Sequence, residues 1–282
     1  MEEQSTSFLT QPFTFGGVAA FARASFGRLA LFQIAVALFA AGVVAIFFEF
    51  AWVPVLKRAI EALPRTGDIQ NRTLNWGQAS PLRSAGSSFL WISVDPADSL
   101  EPGEGADVQL EFRKAELRIR SLLGYCSVPY PDGWVIALNR AELEPWWGAW
   151  HPGITLGLGV SVFLGLFLIW TAIALAYLWP VRLIGFYADR KLSLGGAWRM
   201  AAASLLPGAT FLTLAILAYT VHRINLVQLL LALVLHVMIG WAYVLAAPFC
   251  LPRQSAPGGG PPAKNPFGPP TGKPNNPFAD PK

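Results

Sequence analysis

Three histidines and a scatter of carboxylates carry most of the reactive chemistry in this chain. His151 and His222 fall at the same ends of apolar runs, and Glu49 closes the first such run. Two imidazoles and one carboxylate are a donor set that zinc accepts. The plainer reading, which we favour, is amphipathic filler: an imidazole at an interface keeps one end in water. His236 lies inside an apolar run, where an ionisable group is a functional candidate by default. A neutral ring bonded to a neighbouring helix accounts for it more simply. Asp95, Asp98, Glu101, Glu104 and Asp107 recur every three residues. Clustered carboxylates hold calcium, but the dense alternation of an EF-hand loop is missing. Pro96, Pro102, Gly103 and Gly105 break the run, so a solvated loop is the expectation, with Asp95 kept as a functional candidate.

No HExxH, GxSxG, Walker A or GxGxxG pattern occurs. Cys126 and Cys250 stand in different contexts and form no CxxC. We expect no cofactor, no resident metal and no catalytic activity.

The elements that position these residues follow from composition. Of 282 residues, 54% are hydrophobic and 13% charged. That charged share is about half the roughly 25% of a soluble domain. So much apolar surface exceeds what one water-soluble core hides, and a polytopic membrane protein is expected. The net charge of +4 is unevenly divided. Residues 57–150 hold 10 Lys/Arg and 12 Asp/Glu, and the rest holds 11 and 5. The basic excess lies beside apolar spans, which is how topology is set, and is no footprint for nucleic acid.

A helix needs about 20 apolar residues to cross the hydrocarbon. Four segments qualify: Leu29–Phe48 within a span 29–56, Ile154–Trp179 within 151–180, Ala201–Val221, and Leu226–Leu251. The first reads as a retained signal anchor. Only residues 222–225 separate the last two, so these form an antiparallel hairpin. Arg182, Arg190, Lys191 and Arg199 crowd segment 181–200; Arg23 and Arg28 precede the first span, and Arg253, Lys264, Lys273 and Lys282 follow the last. Both termini are therefore expected in the cytoplasm, in the cytoplasmic (inner) membrane, with 57–150 outside. Trp52, Trp146, Trp147 and Trp150 mark one interface, and Trp179 and Trp198 the other. Residues 8–28, with Phe15, Ala19, Ala22 and Phe26 on one face, are expected as a short helix lying in the inner interface.

Two features inside the spans bear on packing. Gly153, Gly157, Ser161 and Gly165 repeat every four residues, a smooth stripe that lets another backbone approach. Another span of the same chain is the favoured neighbour; a second copy or another membrane protein is the alternative. Pro207-Gly208 interrupts the third span and predicts a kink.

Segment 57–150 reads as a small strand-rich α+β domain. Ser88–Val94, Val108–Phe112 and Trp134–Leu138 are strand patterns, and Leu117, Ile119 and Leu122 suggest another. A small antiparallel sheet is expected. Asn139 looks like an N-cap with Glu142 at the capping-box position, opening a helix that feeds the second span. Residues 252–282 are Pro/Gly-rich and predict a disordered cytoplasmic tail. The tail holds Asn265-Pro266-Phe267 and Asn276-Pro277-Phe278, which resemble EH-domain ligands; low-complexity composition explains them better.

The order of elements resembles an uncharacterised bacterial polytopic family, MalA-like and labelled for maltodextrin utilisation, within the Yip-type clan. The resemblance rests on a basic, aromatic stretch before the first span, on Leu63-Pro64, on Val94-Asp95, on residues 192–200 around Trp198, and on Leu206-Pro207. It covers residues 8–251, and the Pro/Gly tail departs from it. It implies a multi-pass membrane protein and supplies no catalytic residues. The fold expected is an α-helical bundle of four transmembrane helices with the strand-rich insert between helices 1 and 2. The function expected is presentation of that insert for binding, sensing or assembly, in contact with the bilayer. A transport component with its site among the helices is the alternative.

Overall fold

A computed structural model of the chain describes residues 8–77, 81–97 and 105–253. The sequence expectations for the tail beyond 253, and for Asp98, Glu101 and Glu104, lie outside the described residues.

Four helices are long and apolar enough to cross a membrane. The first runs over Phe26–Glu61 in three pieces: α2 (Phe26–Phe47), a π segment (Phe48–Trp52) and α3 (Val53–Glu61). The register slips next to Pro54, which has no N–H for the carbonyl four residues earlier. α4 (Arg140–Tyr187) is a single helix of 48 residues. Asn139 caps it by accepting from Glu142 N at 3.0 Å. α5 (Leu194–Thr220) begins on a Ser193 cap, and α6 (Leu226–Ala246) on an Asn225–Gln228 capping box. α4 and α5 together leave only Ala188–Ser193 of the basic loop expected at 181–200.

α5 is the centre of the packing and touches α2, α4 and α6. Its Ala197, Ala201, Ala202, Ala203 and Leu206 are fully buried. The helix runs through Pro207-Gly208 without interruption. Here Gly208 serves close approach: a Cβ on it would run into the His236 carbonyl of α6 and stand 3.7 Å from Gly240 N. Small residues of this kind let two backbones meet where lipid offers no hydrophobic drive.

The N-terminal segment packs against the long helices. A 3₁₀ turn (Phe8–Phe13) and the short α1 (Phe15–Ala20) are folded into the bundle. Val18, Ala19 and Phe21 are buried against α5 and its neighbours. Arg199 Nε and Nη2 donate to the carbonyls of Phe21 (3.3 Å) and Ala22 (2.9 Å), and Tyr243 Oη donates to Phe13 O at 2.6 Å. Those bonds satisfy carbonyls that a helix lying in the interface would leave to water and headgroups.

The strands form two sheets, where one antiparallel sheet was expected. One has the order β2 (Thr73–Trp76), β1 (Gly67–Gln70), β8 (Val135–Ala137). The other runs β3 (Leu82–Gly86), β4 (Leu90–Val94), β5 (Val108–Phe112), β6 (Glu116–Ser121), β7 (Gly124–Pro129). β4 and β5 are parallel, with Leu90 opposite Val108 and Val94 opposite Phe112. Asn71 and Arg72, both at positive φ, turn β1 into β2. Ile69, Leu74, Val94, Tyr130 and Leu138 form the core between the sheets, and Val55, Ala59, Leu90 and Ile92 join α3 to the larger one.

Tyr130 closes the first of these cores. Its hydroxyl donates to Arg113 O at 2.8 Å, and burial pushes its pKa well above the ordinary tyrosine value. The folded value is raised, so its contribution is whole below the unfolded value of about 10 and fades as pH rises past it. Tyr130→Phe is predicted to cost about 1 kcal/mol, since the Arg113 carbonyl loses its donor. Hydrogen exchange over β5–β7 in the full chain should quicken, and its steepening above pH 10 should disappear. Unchanged exchange at both pH values would refute the assignment.

Candidate functional site

Two polar clusters gather where the helices meet the sheets. The first lies between the π segment and α4. Glu49 accepts from Thr155 Oγ1 at 2.5 Å, and its two carboxylate oxygens lie 2.9 and 3.1 Å from His151 Nε2. The Trp147 ring stacks on His151 at 5.1 Å. His151 and Thr155 are four residues apart and share one face of α4. The π segment aims Glu49 at that face, an instance of a helix bulge placed at a polar site. All three side chains are half-buried. The ion pair exists only when His151 is protonated; the hydrogen bonds need no charge on the ring.

The second cluster joins the larger sheet to the α5–α6 turn. Tyr219 Oη donates a short hydrogen bond to Asp107, and Ser88 Oγ lies 3.4 Å from His222 Nδ1. Phe89 is buried among three rings: His222 at 4.5 Å, Tyr219 at 4.9 Å and Phe47 at 5.6 Å between centroids. Arg223, Asn225 and Gln228 rim the crevice outside it. Ser, His and Asp are neighbours here, yet they are not a hydrolytic triad. Asp107 is engaged by Tyr219, and among the described residues no carboxylate orients His222 as a base towards Ser88.

This geometry corrects several sequence expectations. His222 belongs to the second cluster, so the set of His151, His222 and Glu49 is not assembled. Among the described residues no three metal-ligating side chains converge. His236 is half-buried, and its Nδ1 meets the Leu233 carbonyl of its own helix; among the described residues it does not bridge to a neighbouring helix. Asp95 is buried just past the end of β4, where its N–H donates to Phe112 O at 2.8 Å, so the loop that it opens is not solvated at this residue. Asp107 of the carboxylate ladder reaches α5, where its carboxylate accepts from Tyr219. The small-residue stripe turns away from this chain: a Cβ at Gly153, Gly157 or Gly165 would meet nothing within 4 Å, and Ser161 is exposed.

Thr155, Ser88 and Tyr219 were not singled out as site residues in the sequence, and Asp107 only as the last member of the carboxylate run. For Thr155 a signal existed. Glu49 is the sole acidic residue of the first apolar run, and a His/Thr pair at i, i+4 opens the second. Compared with protein-family models, curated proteins and solved structures, the chain matches none.

Proposed function

We propose that the chain is a multi-pass protein of the cytoplasmic membrane, with both termini inside, that presents its strand-rich domain on the outer side for binding, sensing or assembly. It is not an enzyme in this reading. Its resemblance to the MalA-like family is part of the proposal and agrees with a polytopic architecture. The observation that carries it is the way the domain is held. α3 and α4 run into the sheets as continuations of two long apolar helices, and the Phe89–Tyr219–Asp107 cluster fastens the same sheets to the turn between the other two. A domain anchored on every apolar helix moves with them, so an event at the sheets reaches the bundle. Exposed apolar side chains at Leu123, Tyr125, Trp134 and Val135 offer a contact surface at the free edges β7 and β8.

The two native cysteines supply the test. Cys126 lies on β7 and Cys250 just past α6, at opposite ends of the molecule, and both are exposed. In intact cells a membrane-impermeant maleimide should label Cys126 at once and Cys250 only after lysis. The reverse order would overturn the orientation. Exchanging residues 64–138 for a short flexible linker should leave insertion intact and fail to complement a deletion strain; full complementation would place the activity among the helices.

A further inference from the structure

A groove of about 720 Å³ runs between α2 and α4, and the Glu49–His151–Thr155 cluster closes its sheet end. Below the cluster the lining is apolar and hollowed by small residues. Gly42 and Ala45 of α2 face Gly159 of α4, with Leu38, Leu156 and Phe163 at the sides. A Cβ added at Gly42 or Gly159 would meet nothing within 4 Å. From Leu38 to Glu49 the helix rises about 16 Å, half the roughly 30 Å of a bilayer's hydrocarbon. The groove is thus one leaflet long. The rings of Trp52, Trp147 and Trp150 stand within a few residues of its polar end, where an interface is expected. A carboxylate offers about four acceptor positions. His151 and Thr155 take only part of that capacity, and the one ion pair Glu49 makes among the described residues is with His151.

We propose that this groove holds one acyl chain of an aminophospholipid, whose primary ammonium donates to the Glu49 carboxylate. An ammonium suits the site by charge and by its N–H donors. A choline head has no N–H to give, and a glycerol-phosphate head brings a second negative charge beside Glu49. The inference rests on the membrane reading above and adds to it a specific lipid.

The full-length protein would be placed in vesicles of phosphatidylethanolamine and phosphatidylcholine in equal amounts, one or the other lipid bearing a diazirine on its acyl chain. Peptide mapping after illumination should find the ethanolamine probe on the groove faces of α2 and α4, about tenfold above the choline probe. Glu49→Gln should abolish that preference. Gly159→Phe, which fills open space and leaves the packing alone, should lower groove labelling about tenfold for both probes. Leu231→Phe on the exposed face of α6 should change nothing. Labelling spread evenly over all exposed helix faces, no preference between the probes, or indifference to Gly159→Phe would each overturn the proposal. Extraction of the protein by alkaline carbonate would sink the membrane reading and the groove together. Retention in the membrane with even labelling would sink the groove alone.

Discussion

Gly208→Leu is expected to destabilise the helices by about 3 kcal/mol or more, at the upper end of overpacking costs. The reason is local. At Gly208 the first added carbon meets the His236 backbone carbonyl, which cannot rotate aside as a side chain would. α6 must then move away from α5. Gly240→Ala should be far milder, because a Cβ there finds its nearest atoms at 3.9 Å, ordinary van der Waals distance. Thermal unfolding of the purified chain in detergent distinguishes them. Equal melting temperatures for Gly208→Leu and wild type would mean that the two helices do not cross here.

Phe89→Ala should have the next largest effect and a different signature. The ring is 5% exposed and is the only side chain that touches Phe47, Tyr219 and His222 together among the stacking rings described there. Truncating a buried Phe costs about 3–5 kcal/mol. The loss falls on the junction, since Leu90 and Ile92 still pack β4 against α3 and Val94 still packs it into the core between the sheets. Amide exchange should therefore rise around residues 219–226 and at Asp107, while β5 and β6 stay protected. Uniform exchange across the whole domain would instead make Phe89 a core residue of the sheets. Unchanged exchange at the α5–α6 turn would remove the coupling on which the functional proposal depends.

Features that depend on neighbours along the chain are legible in the residues alone. Four apolar runs exceed the length of a bilayer crossing, and each is a helix. Val108–Phe112 alternates and is β5 with those bounds. Asn139 caps α4 because its short side chain reaches the N–H three residues on, a distance set by the local helix alone. Hydrophobic periodicity reports such things directly, since it is a one-dimensional signal.

Which runs meet is set by packing between distant segments. β7 escaped notice because its six residues are all exposed, so no burial imposes an alternation; its register comes from pairing with β6. The parallel pairing of β4 with β5 brings together strands whose patterns read the same in either direction. Residues 8–28 show only their local pattern along the chain, and their carbonyl contacts with Arg199 and Tyr243, more than 170 residues away, leave no mark in it. His151 and His222 occupy equivalent places at the ends of apolar runs. Glu49 reaches the first because the π segment turns it towards α4, and a helix register shift of one residue leaves no mark in composition. A stripe of glycines states that a backbone can come close, not which one does; here α2, α5 and α6 pack elsewhere on α4, and the stripe is left facing outward.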